Sequence, residues 1–224
     1  MPVIVFASPK GGVGKSTSAL LLAQVLASEG ASVSMIDADP NQPLGTWAKH
    51  ADKPENLTII PDVTEKTIIE RIDEESERVP FVVVDLEGSM NLTASRAIGR
   101  ASLVIIPMQA SHLDAQNGIK TIRLIRTEEQ SFRRSIPHCV LFTKTHPATI
   151  TQDHRAARDE LVSGGVPVLG TSLTERSAFK AIFAYNSMIG ELPDNISNIP
   201  KAVKNAEDFA AEVVAHLKEA VRTA

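Results

Sequence analysis

The chain has 224 residues, 43% hydrophobic and 22% charged, enough for one α/β domain over residues 1–224 with a sizeable core. No apolar run approaches the ~20 residues of a membrane span, and the N-terminus enters an apolar run without the basic region of a signal peptide, so a cytoplasmic protein is expected, with no membrane association. A formal net charge of −4 argues against a strongly basic nucleic-acid binder.

In chain order, short Val- and Ile-rich runs alternate with helical stretches. The first strand is expected over 2–7 and is followed at once by Lys10-Gly11-Gly12-Val13-Gly14-Lys15-Ser16-Thr17. Glycines let a backbone curl and aim its N–H groups inward at phosphate, and a helix over 16–28, ending near Gly30, adds the positive end of its dipole. Lys15 can reach the β- and γ-phosphates, and Ser16 can place its hydroxyl on Mg²⁺. The usual phosphate-loop pattern asks for glycine at position 9, where this chain has Pro9; it also carries a second lysine, Lys10. The plainer reading is a Gly-rich turn, but strand and helix both stand where phosphate binding needs them.

A second strand, 32–37, runs into Ile36-Asp37-Ala38-Asp39-Pro40-Asn41. Two acids at the end of a buried strand need cations or donors: Asp39 would orient the attacking water and Asp37 the metal's water shell. A plain strand-to-turn junction is the competing reading. A helix over 42–50, a strand over 57–60 and a charged helix over 65–77, with Asp73, Glu74, Glu75 and Glu77 on an exposed face, come next. The strand over 80–86 delivers Asp85 in Phe81-Val82-Val83-Val84-Asp85-Leu86-Glu87-Gly88. Such a strand end points a carboxylate at Mg²⁺, and Gly88 suits a loop that senses the γ-phosphate.

Beyond it, helices are expected over 91–99, 114–130, 151–163 and 202–221, and strands over 102–107, 138–143 and 166–169. Cys139, the only cysteine, sits in an apolar run and reads as core. The last helix sets Phe209, Val213, Leu217 and Val221 four residues apart, a stripe for the core; a membrane-binding face is the alternative, though only Lys218 and Arg222 would supply its cations. Strand–helix alternation with unalternating apolar strands implies an α/β fold: a mostly parallel central sheet with helices on both faces. Ligands then bind beyond the carboxyl ends of the strands.

Charge is unevenly spread: residues 1–119 hold 9 basic and 15 acidic side chains, residues 120–158 hold 8 and 3. A local basic face on an acidic protein follows, or simply a solvated helix surface.

Together, the loop at 10–17, the acids after the second strand and Asp85 resemble the ParA/MinD family of deviant Walker-type ATPases, P-loop NTPases with a deviant Walker A loop. Ile105-Ile106-Pro107, His112-Leu113-Asp114 and Thr174-Glu175-Arg176-Ser177-Ala178-Phe179-Lys180 are similar to later family segments. The chain looks like a short member without an N-terminal helix-turn-helix, close to the plasmid-partition ParF subgroup. It also looks like the ParA-like ATPase of T-DNA transfer, notably at Asn41-Gln42-Pro43-Leu44-Gly45-Thr46-Trp47.

The resemblance implies ATP and Mg²⁺ as cofactors, with Gly11, Gly12, Val13, Gly14, Lys15, Ser16 and Thr17 around the phosphates. Lys15 would act in cis and Lys10 across a homodimer, on the partner's nucleotide; Asp39 would position water. The metal would be held by Ser16 with Asp37 and Asp85. Thr143 and Lys144 are the expected adenine contacts. Arg176 and Lys180 would touch DNA bound nonspecifically, on the nucleoid, and a ParB-like centromere-binding partner would stimulate hydrolysis. The family often has prolines where this chain has Leu86-Glu87-Gly88-Ser89; Glu87 there is either a repelling charge or a second group that orients water.

Overall fold

The computed structural model describes residues 1–146 and 149–223; the side chains of His112, Leu113 and 221–223 also lie outside the described residues, and with them Val221 and Arg222 of the C-terminal stripe. Seven strands, β1 (Val3–Phe6), β2 (Val33–Ala38), β3 (Leu57–Ile60), β4 (Phe81–Leu86), β5 (Leu103–Met108), β6 (His138–Thr145) and β7 (Leu173–Thr174), form one sheet in the order β3-β2-β4-β1-β5-β6-β7. Every pairing is parallel. Parallel neighbours need long crossovers, which the helices supply: α1 (Lys15–Ser28), α2 (Pro43–His50), α3 (Ile68–Arg78), α4 (Leu92–Ile98), α5 (His112–Phe132), α6 (Gln152–Ser163), α7 (Ser177–Ala184) and α8 (Ile199–Thr223).

Side chains alternate across each strand, so one sheet buries two cores. Ile4 and Phe6 face a cluster with Leu20, Leu21, Trp47, Phe179 and Phe209, built with α1, α2, α7 and α8. Val3 and Val5 face the opposite cluster, which includes Ile72, Ile98, Ile125 and Leu161 from α3 to α6. On α8, Phe209, Val213 and Leu217 are buried, so the apolar stripe packs on the core. Burial pushes the Cys139 thiol up to about 12, as expected of an inert core cysteine.

Two expectations need correction. Residues 166–169 do not form a strand: Val168 makes one isolated bridge to Val140. Pro167 accepts from the Val140 amide but has no N–H to extend a ladder, and the seventh strand forms at Leu173–Thr174 instead. Glu75 is not on the exposed face of α3; its carboxylate accepts from the buried Ser34 hydroxyl and from Arg78.

Candidate functional site

The register sets the acids side by side. Phe6 pairs with Asp85, and Asp85 with Asp37, so β1, β4 and β2 release their chains at one level. From Phe6 the chain enters the glycine loop. Gly12 and Gly14 sit at φ 73 and 93, left-handed values that a side chain resists. No side chain caps the N-terminus of α1, which leaves first-turn amides available for an anion.

The two lysines diverge. Lys15 is 6% exposed and its Nζ donates to the Lys10 carbonyl at 3.3 Å. Burial lowers its pKa against the opposing pull of Asp85, Asp39 and Glu87. Lys10 instead leaves the loop: its Nζ donates to Asp114 Oδ1 at the start of α5, 2.8 Å away.

The acids differ in how they are used. Asp37 Oδ2 accepts from the amides of Leu44 (2.8 Å) and Gly45 (2.9 Å), and its Oδ1 from Asp39 (3.2 Å). Its carboxylate therefore caps α2; burial raises its pKa, and those amides oppose the rise. A carboxylate has about four acceptor positions, so one remains for a metal's water. Asp39 is half-buried and folds into a local turn, accepting from Asn41 N (2.8 Å) and Nδ2 (3.0 Å).

Asp85 is fully buried and neither of its oxygens has a hydrogen-bond partner. Burial lifts its pKa to about 7; the nearby Ser16 hydroxyl, short of hydrogen-bond geometry, and the Lys15 ammonium oppose the rise, and Asp37 and Asp39 add to it. An orphaned buried carboxylate is costly unless a cation arrives. The site fits Mg²⁺, which takes few protein carboxylates and completes its shell with water and phosphate oxygens. A dedicated cage of three or more His, Cys, Asp or Glu is absent among the described residues.

Beyond Asp85, a Cβ at Gly88 would lie 3.0 Å from the Gly11 nitrogen, so this loop packs directly on the phosphate loop. Glu87 Oε2 accepts from Asn91 Nδ2 at 3.0 Å, and Asn91 caps α4.

Thr143 and Lys144 brace the glycine loop from β6. The Thr143 hydroxyl lies 2.6 Å from the Val13 carbonyl oxygen and 3.2 Å from that of Met108. Lys144 Nζ donates to the Gly12 carbonyl at 2.6 Å. Both residues, with Gly14 and Thr17, also line a hollow whose far wall is Thr174, Arg176, Phe179 and Lys180. Arg176 borders a second groove, with Lys201, Lys204 and Asn205.

Other basic side chains are engaged: Lys180 with Glu175 (2.8 Å), Lys204 with Asp208 (2.7 Å), and Arg134 with the carbonyls of Gly99 and Ala101 after α4. Sequence reasoning gave no role to Asp114, Asn205 or Glu212. Asn205 holds Ser172 and Thr174, and Glu212 accepts from the amides of Gly170 (2.6 Å) and Thr171 (2.7 Å). Of the three, only Asp114 left a signal, the Ser111-x-x-Asp114 spacing of a helix start.

A parallel sheet with a glycine loop after β1 and acids at the ends of β2 and β4 defines a P-loop NTPase. The chain matches the VirC1 protein family over residues 1–222. It is 40% identical to Protein ParA of Rhizobium radiobacter over 222 residues, 99% of this chain and 100% of that protein. It is 30% identical to Protein virC1 of Rhizobium rhizogenes over 187 residues, 81% of this chain and 80% of that protein. The apo McdA structure from Cyanthece superposes with a TM-score of 0.78, at 20% identity, covering 99% of each chain. The chain belongs to the VirC1/ParA family of P-loop proteins.

Proposed function

We propose that the chain is an ATP-dependent dimerisation switch. It hydrolyses ATP to ADP and phosphate, and as an ATP-bound pair it binds DNA nonspecifically to partition or position a DNA cargo. The observation that carries this reading is the divergence of the two lysines. Lys15 serves its own loop, whereas Lys10, 37% exposed and paired with Asp114, turns away from it, which supports a role on a second subunit.

In this reading the backbone amides from Gly11 to Thr17 and Lys15 hold the phosphates in cis. Asp39, half-buried at the mouth of the site, orients water for attack. Ser16 and Asp85 would hold Mg²⁺, with Asp37 accepting from its water; the ion would neutralise charge on the phosphates. Lys10 of the second subunit adds charge where it builds up, since phosphoryl transfer needs mainly positioning and electrostatic stabilisation. The hollow between Thr143, Lys144 and Arg176 receives the base and ribose. Hydrolysis, slow alone and stimulated by a ParB-like partner, reopens the pair.

Arg176 and Lys180 are the proposed DNA contacts, and binding through phosphates weakens steeply with salt. Support for ATP comes from a structure with the same fold, a McdA–ATP complex from Cyanothece (TM-score 0.76, 20% identity). DNA retention measured across a salt series with ADP and with a slowly hydrolysed ATP analogue tests the reading. Retention only with the analogue, falling steeply with salt, is expected; equal retention with both nucleotides would contradict it.

The VirC1 family match favours one second reading, an ATPase of T-DNA or conjugative transfer that recognises a particular DNA site. Footprinting separates the two: protection of one cognate site over random DNA belongs to the transfer reading.

A further inference from the structure

We infer that Glu87 makes nucleotide binding depend on the divalent cation: its carboxylate opposes a bare triphosphate and admits one that arrives with Mg²⁺. This role presupposes the phosphate site proposed above, and of the two roles open to Glu87 it is the repelling charge.

Glu87 is half-buried and held from two sides. Gly88 seats its loop directly on the phosphate loop, where a Cβ would meet the Gly11 nitrogen at 3.0 Å and the Gly11 Cα at 3.2 Å. On the other side Asn91 is a clamp. Its Oδ1 accepts from the Ala94 amide at 3.0 Å, which fixes the side chain at the start of α4 and turns its Nδ2 to Glu87 Oε2, also at 3.0 Å. A carboxylate held in this way is a fixed charge rather than a base that swings to meet a water.

That charge adds to a site already rich in acid. Asp85, Asp39 and Glu87 each favour the charged form of Lys15 against the burial that lowers its pKa, and Asp37 stands beside Asp85 on the next strand. The other lysines of the loop are engaged, Lys10 with Asp114 and Lys144 with the Gly12 carbonyl. Asp85 is 0% exposed and neither of its oxygens has a partner, so the arrangement waits for positive charge. A bare triphosphate meets repulsion from fixed carboxylates at short range. Its Mg²⁺ complex carries less negative charge, and the same carboxylates attract the ion. Glu87 therefore favours the complex over the bare nucleotide on both counts.

Glu87→Gln keeps the shape and an acceptor for Asn91 while removing the charge. Titration calorimetry with a slowly hydrolysed ATP analogue, in Mg²⁺ and in EDTA, gives the ratio of the two affinities. That ratio should fall about ten-fold in the variant, mainly through tighter binding in EDTA. Asn91→Ser retains a helix cap but releases Glu87, and should lower the ratio by a smaller factor, about three-fold. Glu77→Gln, which removes an exposed acid from α3, should leave it unchanged and so controls for net charge.

An unchanged ratio in Glu87→Gln, or binding in EDTA as weak as the parent's, would overturn the inference. A hydrolysis rate that falls on the order of 100-fold with no change in the ratio would give Glu87 to the attacking water instead. Inorganic triphosphate, titrated in the same two buffers, separates this inference from the switch reading. A chain that binds it but no adenine nucleotide loses the ATP switch, and the triphosphate ratio still decides the role of Glu87; a chain that binds neither loses both.

Discussion

The two ends of the sheet's carboxyl edge are built in opposite ways. At β1, β2 and β4 the site is made of backbone and buried acids: Asp37 and Asp85 are 0% exposed, Lys15 6%. Asp37 and Asp85 lie within the strands that aim them, and Lys15 opens the helix that follows β1. At β6 and β7 the edge is an open hollow whose far wall, Thr174 to Lys180, follows a strand of two residues. α8 holds the start of that wall through Asn205, on Thr174, and the chain leading into it through Glu212, on Gly170 and Thr171, 31 to 42 residues away in sequence. The acids on the first side are aimed by their own strands, whereas the rim is set by long-range packing.

The largest expected effect is at Asp85, buried and without a hydrogen-bond partner. Its carboxyl rises from 3.8 to about 7 on burial, on the order of 4 kcal/mol if unfolding fully relieves it. A raised carboxyl favours the folded chain fully below the unfolded value, and that stability is lost as pH rises through the folded value. The metal-free chain should therefore melt at progressively lower denaturant between about pH 4 and pH 7, with Asp37, also raised, acting in the same direction. Asp85→Asn should make this slope shallower in urea melts, with Asp37 supplying what remains; an unchanged slope would mean the buried acid is already compensated.

Asp39→Ala should lower steady-state hydrolysis on the order of 100-fold or more while the ATP-bound pair accumulates. An unchanged rate would remove Asp39 from the chemistry.

On the rim, Asn205→Ala deletes three hydrogen bonds, to Thr174 N (3.1 Å), Thr174 Oγ1 (3.0 Å) and Ser172 O (2.9 Å). A loss of about 1–3 kcal/mol of stability is expected, with hydrolysis less affected than base affinity. The smallest effect tests the join between the two regions. Thr143→Val removes the hydroxyl beside Val13 while keeping its volume, and nucleotide affinity should fall about five-fold, or ~1 kcal/mol. Titration calorimetry that finds no change would make Thr143 packing alone.

The same contrast explains what the sequence revealed. That the loop at 10–17, the acids at 37 and 39 and Asp85 share one edge of the sheet was legible because each follows or ends a strong apolar strand. The six longer strands were legible for the same reason. The seventh was not: Leu173–Thr174 has no periodicity of its own, and Val166–Leu169 looks more like a strand until Pro167 is counted as a missing donor. Thr143 and Lys144 were expected as adenine contacts, and their bonds to Val13 and Gly12, which span 130 and 132 residues, lay beyond any local pattern. The partner of Lys10 was hidden likewise, 104 positions away.

In the proposed switch Lys10 works on a neighbour's nucleotide and Lys15 on its own. The decisive experiment is size-exclusion with light scattering, run on the unsubstituted chain and on Lys10→Ala, with ADP and with a slowly hydrolysed ATP analogue. A dimer is expected only for the unsubstituted chain with the analogue, and a Lys10→Ala chain that stays monomeric yet still binds nucleotide. A Lys10→Ala chain that loses nucleotide binding altogether, or that dimerises as readily as its parent, would contradict this division of roles.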